Sequence, residues 1–323
     1  MNANTLTPLS YLDAAGARAD SILPLTWYML IVSILVCVII AWILLRAVRA
    51  SRANGGDAET RAVGIEAGAS GTDWIRNGLL ISSVPLLVAL VWTMVTLAAV
   101  SGPPAHPALT VDVVGHQWWW EVTYDGTPQA QTFTTANEIH IPVGQRVLVR
   151  LHGADVIHSF WVPKLSGKTD MIPGQTNLSW LQARAPGVYT GQCSEYCGEQ
   201  HAHMMVQVVA QPQAEFAQWR QQQLQPATPP NDPASERGAA LVEYRCGLCH
   251  QIRGTNAGAH NAPDLSHIAG RRTLAAGLLP NNPGTLAAWI ENAHGLKPGN
   301  QMPNQNLTGD ELTDVLAYLE LQR

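Results

Sequence analysis

Three stretches of different character predict the fold class: a two-helix transmembrane hairpin, an all-β domain and an all-α domain. The hairpin rests on two charge-free apolar runs, 27–45 and 78–100, each about one bilayer thick. The all-β domain rests on a period of two that begins at Leu109. The all-α domain rests on helical spacing on both sides of Cys246-Gly247-Leu248-Cys249-His250.

Residues 1–26 are polar and mixed, and read as a short, loosely ordered leader outside the membrane, with Pro24 just ahead of the first span. Residues 27–100 form the hairpin. Pro85 falls inside the second span, which a membrane helix tolerates when neighbours satisfy the freed carbonyl. Arg46, Arg49, Arg52, Arg61 and Arg76 lie between the runs, whereas Arg18 is the only basic residue before them. This asymmetry places the connecting loop in the cytoplasm and both termini outside it.

Residues 101–213 form the all-β domain. Val111 and Val113, then Ile139, Ile141 and Val143, then Val147, Val149 and Leu151 alternate with polar residues, and Val206 to Val209 closes the set. Asp125-Gly126, Pro173-Gly174 and Pro186-Gly187 supply turns. Many short strands with turns between them predict a Greek-key sandwich or barrel. The Trp118-Trp119-Trp120 run cannot share one face of a strand, so one ring at least lies near the surface.

Residues 214–233, rich in Gln, Pro and Ala, read as a linker with a short helix at its start. Residues 234–323 form the all-α domain. Thr308-Gly309-Asp310-Glu311 is a capping box ahead of Leu312, Val315, Leu316 and Leu319, one helix face. A face made by Gly238, Leu241 and Tyr244 is expected to cross it.

The chain has 19 Lys and Arg against 24 Asp and Glu, a net charge of −5, which gives no ground for nucleic-acid binding. Chemistry concentrates in the cysteines. Four of the five fall into two close pairs, and Cys37 sits in an apolar run as a small hydrophobe. Residues 193–204 hold Cys193, Cys197, His201, His203 and Met204. Thiolate, imidazole and thioether together favour copper over calcium or magnesium. A disulfide would leave the histidines and the methionine without a reason, zinc does not call for a thioether, and a mononuclear blue-copper site uses one cysteine. Two neighbouring thiolates can instead bridge two copper ions. His158, beside the apolar run Phe160-Trp161-Val162, is the upstream candidate ligand.

The second pair, Cys246 and Cys249 followed by His250, is the attachment signature of c-type heme, with His250 the fifth iron ligand. Met302 is the only methionine after Met205, and it sits on a Gly/Pro loop suited to aim a sixth ligand. His260, His267 and His294 are the alternatives.

The segments His158-Ser159-Phe160-Trp161-Val162-Pro163 and Cys193-Ser194-Glu195-Tyr196-Cys197-Gly198-Glu199-Gln200-His201-Ala202-His203-Met204 resemble the CuA motifs of cytochrome c oxidase subunit II. The resemblance implies a cupredoxin fold for the β domain. It also implies His158, Cys193, Cys197, His201 and Met204 as side-chain ligands of binuclear copper and Glu195 as a ligand through its backbone carbonyl. Residues 234–323 resemble a class I cytochrome c.

By the same resemblance Trp118 is an exposed residue where electrons enter, Glu195 also helps bind magnesium, and Asp170 lies at the interface with subunit I. Glu66 and Asp73 are candidates for assisting proton uptake. The implied route runs from cytochrome c or another donor through heme c and CuA to subunit I, where oxygen is reduced and protons are pumped, with subunit III a further partner. The implied location is the bacterial plasma (inner) membrane, multi-pass, with the soluble domains on the periplasmic side. The alternatives are the corresponding subunit of a CuA-type nitric oxide reductase and a membrane-anchored copper or redox carrier.

Overall fold

The computed structural model describes residues 9–53, 71–126 and 129–323. Two units make up the chain, residues 20–102 and the remainder.

The smaller unit holds most of α1 (Ala17–Ala53) and α2 (Gly71–Ser101), both long and apolar enough to cross a membrane. α1 begins ahead of the apolar run, so Pro24 lies inside the helix and not before it. Asp20 in its first turn complements the helix dipole there. Within the hairpin the Tyr28 hydroxyl donates to the Pro85 carbonyl at 2.9 Å, and its ring meets Trp92 at 5.4 Å. Glu66 lies outside the described residues. Asp73, the other candidate for proton uptake, pairs with Arg76 at 3.1 Å on an exposed helix face.

In the larger unit, two five-stranded sheets pack face to face. One runs in the order β3 (Phe133–Ala136), β2 (Trp119–Tyr124), β1 (Leu109–His116), β5 (Val147–Gly153), β8 (Asn177–Leu181). The other runs β4 (Glu138–Pro142), β10 (Met205–Gln211), β9 (Gly187–Cys193), β6 (His158–Trp161), β7 (Thr169–Met171). The alternation expected from sequence is visible as burial. Val111, Val113, Val147, Val149 and Leu151 are fully buried between the sheets. Trp120 is also fully buried, edge-on to Phe160, while Trp119 turns to the other face and stacks on His116 at 4.4 Å.

The polar N-terminal stretch is better fastened than expected. The Ala15 amide donates to the Lys164 carbonyl, and the Arg184 amide donates to the Ala15 carbonyl. Gly16 approaches the Gln182 carbonyl so closely that a Cβ there would lie 2.4 Å from it. Buried Arg18 donates to the Ser179 hydroxyl at 2.6 Å.

Residues 214–233 do not form one spacer either. α3 (Gln213–Gln223) buries Phe216 and stacks Trp219 on His140 at 4.0 Å, so it belongs to the β domain. After it, the chain runs along the α domain, bonded through Ala227 to Arg253 and through Thr228 to Gln322.

The α domain packs α4 (Pro233–Leu241) against α7 (Gly309–Leu319), with α5 (Pro283–Glu291) and α6 (Ala293–Leu296) nearby in the chain. Gly238 permits the crossing, since a Cβ there would sit 1.9 Å from the Asp314 carbonyl oxygen. The Thr308–Glu311 capping box forms as expected. Tyr244 does not join the contact and is exposed. A π-helical turn over Val242–Cys246 shifts the phase, and Val242 is buried in its place.

Candidate metal and heme centres

β9 ends at Cys193, and the loop to β10 carries Glu195, Cys197, His201 and Met204. Sheet register supplies the remaining donor. β6 pairs with β9 so that Phe160 faces Cys193, which brings His158 at the start of β6 beside the loop. The Cys193 sulfur lies 3.7 Å from the Cys197 sulfur, 3.8 Å from His158 Nδ1 and 3.2 Å from the Glu195 carbonyl oxygen. The Cys197 sulfur lies 3.6 Å from His201 Nδ1 and 3.9 Å from Met204 Sδ. His203 turns aside to Gln200, 2.7 Å away.

These spacings suit shared metal ions. A tetrahedral ion with sulfur at about 2.3 Å and nitrogen at about 2.1 Å holds the two donors about 3.6 Å apart. Both cysteines are free, so no disulfide competes for the sulfurs. The donor atoms of buried His158, Cys193 and Cys197 all lie within 4.8 Å of one another. The thioether of Met204, fully buried beside them, favours copper over zinc. The residues present fit a binuclear copper site.

Electrostatics prepares one thiolate of the pair. The bond from the Cys197 thiol pulls Cys193 well below the usual thiol range, against burial and with help from His158. The same bond, with burial, pushes Cys197 up, so Cys193 ionises first. Burial lowers His158, but its bonds to Cys193 and Asp155 outweigh that and leave it raised.

Asp155 is a functional residue that sequence reasoning missed. It accepts from His158 Nε2 at 2.8 Å, which leaves Nδ1 toward the sulfurs, and it also accepts the Gln117 amide at 2.7 Å. Its signal was its place three residues before a candidate ligand whose second nitrogen needs an anchor. Gln117 was missed too. Its Nε2 and the Trp118 Nε1 both donate to the Cys197 carbonyl, at 2.8 and 2.9 Å.

Trp118 therefore touches the loop, but the expectation that it is exposed is wrong. It is buried, because the segment around Gly299 of the α domain closes over its ring. A Cβ on Gly299 would lie 3.2 Å from the ring and 2.8 Å from the Glu199 carboxylate.

Asp170 and Glu195 meet through Lys168, whose ammonium is 3.3 Å from the first and 3.5 Å from the second. The Ser159 hydroxyl also donates to Asp170 at 2.8 Å and, with Lys168, holds that carboxyl below its usual range.

In the α domain, Cys246 and Cys249 flank the turn that leads to His250. His250 Nδ1 donates to the Pro263 carbonyl at 2.6 Å, which leaves Nε2 as the free lone pair for iron. Burial pushes His250 down, toward the neutral form that binds metal. Met302 lies on the loop between α6 and α7, its amide bonded to Asn300 Oδ1 at 2.9 Å. Of the fallback histidines, His267 bonds the Arg323 carbonyl through Nδ1. Two thiols, an imidazole with one free nitrogen and a loop thioether fit a covalent c heme.

A β sandwich with five sulfur and nitrogen donors gathered at one loop and the start of β6, a C-x-x-C-H helical domain and two apolar helices define a membrane-anchored electron-transport protein with two redox modules. Residues 125–211 match the family model for the periplasmic domain of cytochrome c oxidase subunit II, and residues 235–322 match that for cytochrome c. The chain thus carries a domain of the cytochrome c oxidase subunit II periplasmic type followed by a cytochrome c domain.

Cytochrome c oxidase subunit 2 of Alkalihalophilus pseudofirmus is 37% identical over 211 residues, 65% of this chain and 60% of that protein. The Bacillus subtilis protein of the same name is 30% identical over 231 residues, 68% of this chain and 64% of that one. The chain thus spans somewhat under two thirds of these relatives. The solved periplasmic domain of subunit II of cytochrome oxidase from Bradyrhizobium japonicum is 34% identical, covering 36% of this chain and 94% of that one, with a TM-score of 0.34.

Proposed function

We propose that this chain is the electron-accepting subunit of a terminal heme–copper oxidase, passing single electrons from a soluble donor such as cytochrome c toward an oxygen-reducing subunit I. The observation that carries this reading is the pair of sulfurs 3.7 Å apart with two imidazoles and a thioether around them. His158, Cys193, the Glu195 carbonyl, Cys197, His201 and Met204 hold binuclear copper. Cys246 and Cys249 attach heme c, with His250 and Met302 on its iron. When bound, the two groups supply two one-electron stations with no bond chemistry of their own.

The chain's residues do the rest. Asp155 orients His158, and buried Trp120 and Phe160 shield the His158 and Cys193 donors from water. Trp118 bridges from the α domain to the Cys197 carbonyl as the point where electrons enter. Glu195 offers its side-chain carboxylate, now paired with Lys168, to magnesium at the subunit I interface, with Asp170 beside it. The hairpin anchors the chain in a bacterial plasma membrane with the soluble modules outside the cytoplasm. Subunits I and III are its partners, and oxygen reduction and proton pumping belong to subunit I.

The test is purification of the full chain with whatever it assembles with. Co-purification of a subunit bearing heme and copper that consumes oxygen supports the reading. Consumption of nitric oxide without oxygen uptake would reverse it in favour of a nitric oxide reductase.

A further inference from the structure

Lys297 follows α6 in the cytochrome module, yet it is 2% exposed. Its ammonium donates to three backbone carbonyls: Trp118 at 2.8 Å, His203 at 2.9 Å and Ala275 at 2.9 Å. Two of these belong to the copper module and one to the cytochrome module. The two copper-module carbonyls come from the residue over Cys197 and from the ligand loop itself. Three oxygens that only accept require three N–H groups, which the ammonium has and the neutral amine lacks. Burial pushes Lys297 down to about 7, opposed by the attraction of Cys197.

The surroundings are shaped to this contact. Ala275, Ala276 and Gly277 all take positive φ, at 53°, 59° and 84°. A side chain visits that region at a cost, and here the turn aims the Ala275 carbonyl at Lys297 and the Ala276 carbonyl at the Met205 amide, 2.9 Å away. Gly299, two residues beyond Lys297 and at a φ of 79°, lies against the Trp118 ring, where a Cβ would come within 3.2 Å. The segment that leads to Met302 is thus fixed at its base by Lys297 and laid over Trp118 by Gly299.

We propose that Lys297 is a positioning residue that pins the cytochrome module onto the copper ligand loop. The pinned segment closes the Trp118 ring to any external protein, so the chain's own cytochrome module is the partner of that face. The transfer it positions moves one electron from iron to the copper pair, with no bond or proton exchanged. This rests on the functional reading above for the identity of the two groups, while the pin itself rests on the contacts.

The test is amide hydrogen exchange on the full chain in detergent, comparing wild type, Lys297→Met and Lys297→Gln. Met keeps the stem and removes every donor, whereas Gln keeps two. Loss of charge-assisted bonds raises exchange at Met205 and at 275–277 by about tenfold or more in Lys297→Met, with Lys297→Gln between it and wild type. Heme and copper spectra stay intact, and the rate of heme-to-copper electron transfer after a flash falls in the same order. Exchange and transfer rate unchanged in both variants would overturn the pin. If Lys297→Met does not accumulate, Lys297→Gln decides by the same comparison with wild type. A wild-type chain without copper or heme spectra would sink the functional reading instead, and exchange would still judge the pin.

Discussion

The copper and heme centres are built by opposite means. At the copper loop the donors of residues 193–204 follow one another along the chain, and only His158 arrives from elsewhere, delivered by the β6–β9 register. Nothing covalent fastens the metal, so its site stands on sheet pairing and on Asp155. At the proposed heme centre Cys246 and Cys249, just ahead of His250, would bond covalently to the group, and Met302 on a loop beyond α6 would supply the sixth ligand. One centre is held by the fold around it, and the other is tethered first and tuned afterward. Losing one ligand should therefore destroy the first and only retune the second.

The sharpest break of that contrast is Cys197→Ser. It removes one of the two sulfurs that sit 3.7 Å apart, and the expected result is complete loss of the binuclear copper optical and EPR signature, with heme c spectra unchanged. Met302→Leu is the matching change on the other side. The heme stays attached through Cys246 and Cys249, the thioether-to-iron charge-transfer band disappears and the midpoint potential falls. Redox titration with optical detection checks both. Asp155→Ala comes next, because it leaves every proposed copper ligand in place and removes the acceptor at His158 Nε2, together with that of the Gln117 amide. Copper affinity should drop by about ten- to a hundredfold, measured by competition with a chelator, and the heme centre should not respond.

The same contrast explains what could be read from the residues alone. The ligand loop and the C-x-x-C-H turn were legible because their spacing is short and their chemistry is unusual. The strands were legible because a half-buried sheet imposes a period of two, as Val111 and Val113 show. Tyr244 was misplaced because helical periodicity assumes a constant pitch, and the π turn at Val242–Cys246 breaks it. Residues 9–19 read as loose because their polarity conceals that Ala15, Gly16 and Arg18 fasten to the β domain through backbone and one buried guanidinium. Trp118 was expected in the open because the resemblance makes it the residue where electrons enter. The cover comes from Gly299, far along the chain, and no local pattern announces a long-range contact made by a residue without a side chain. Lys297 was silent for the same reason, since its partners are backbone carbonyls, which carry no sequence signal.

The most direct measurement is metal and heme stoichiometry of the purified full chain, combined with EPR of its oxidised form. Two coppers and one covalent heme c per chain are expected, with a single unpaired electron shared between two copper nuclei. One zinc per chain, or a cysteine loop that binds no metal while the heme is present, would contradict that expectation.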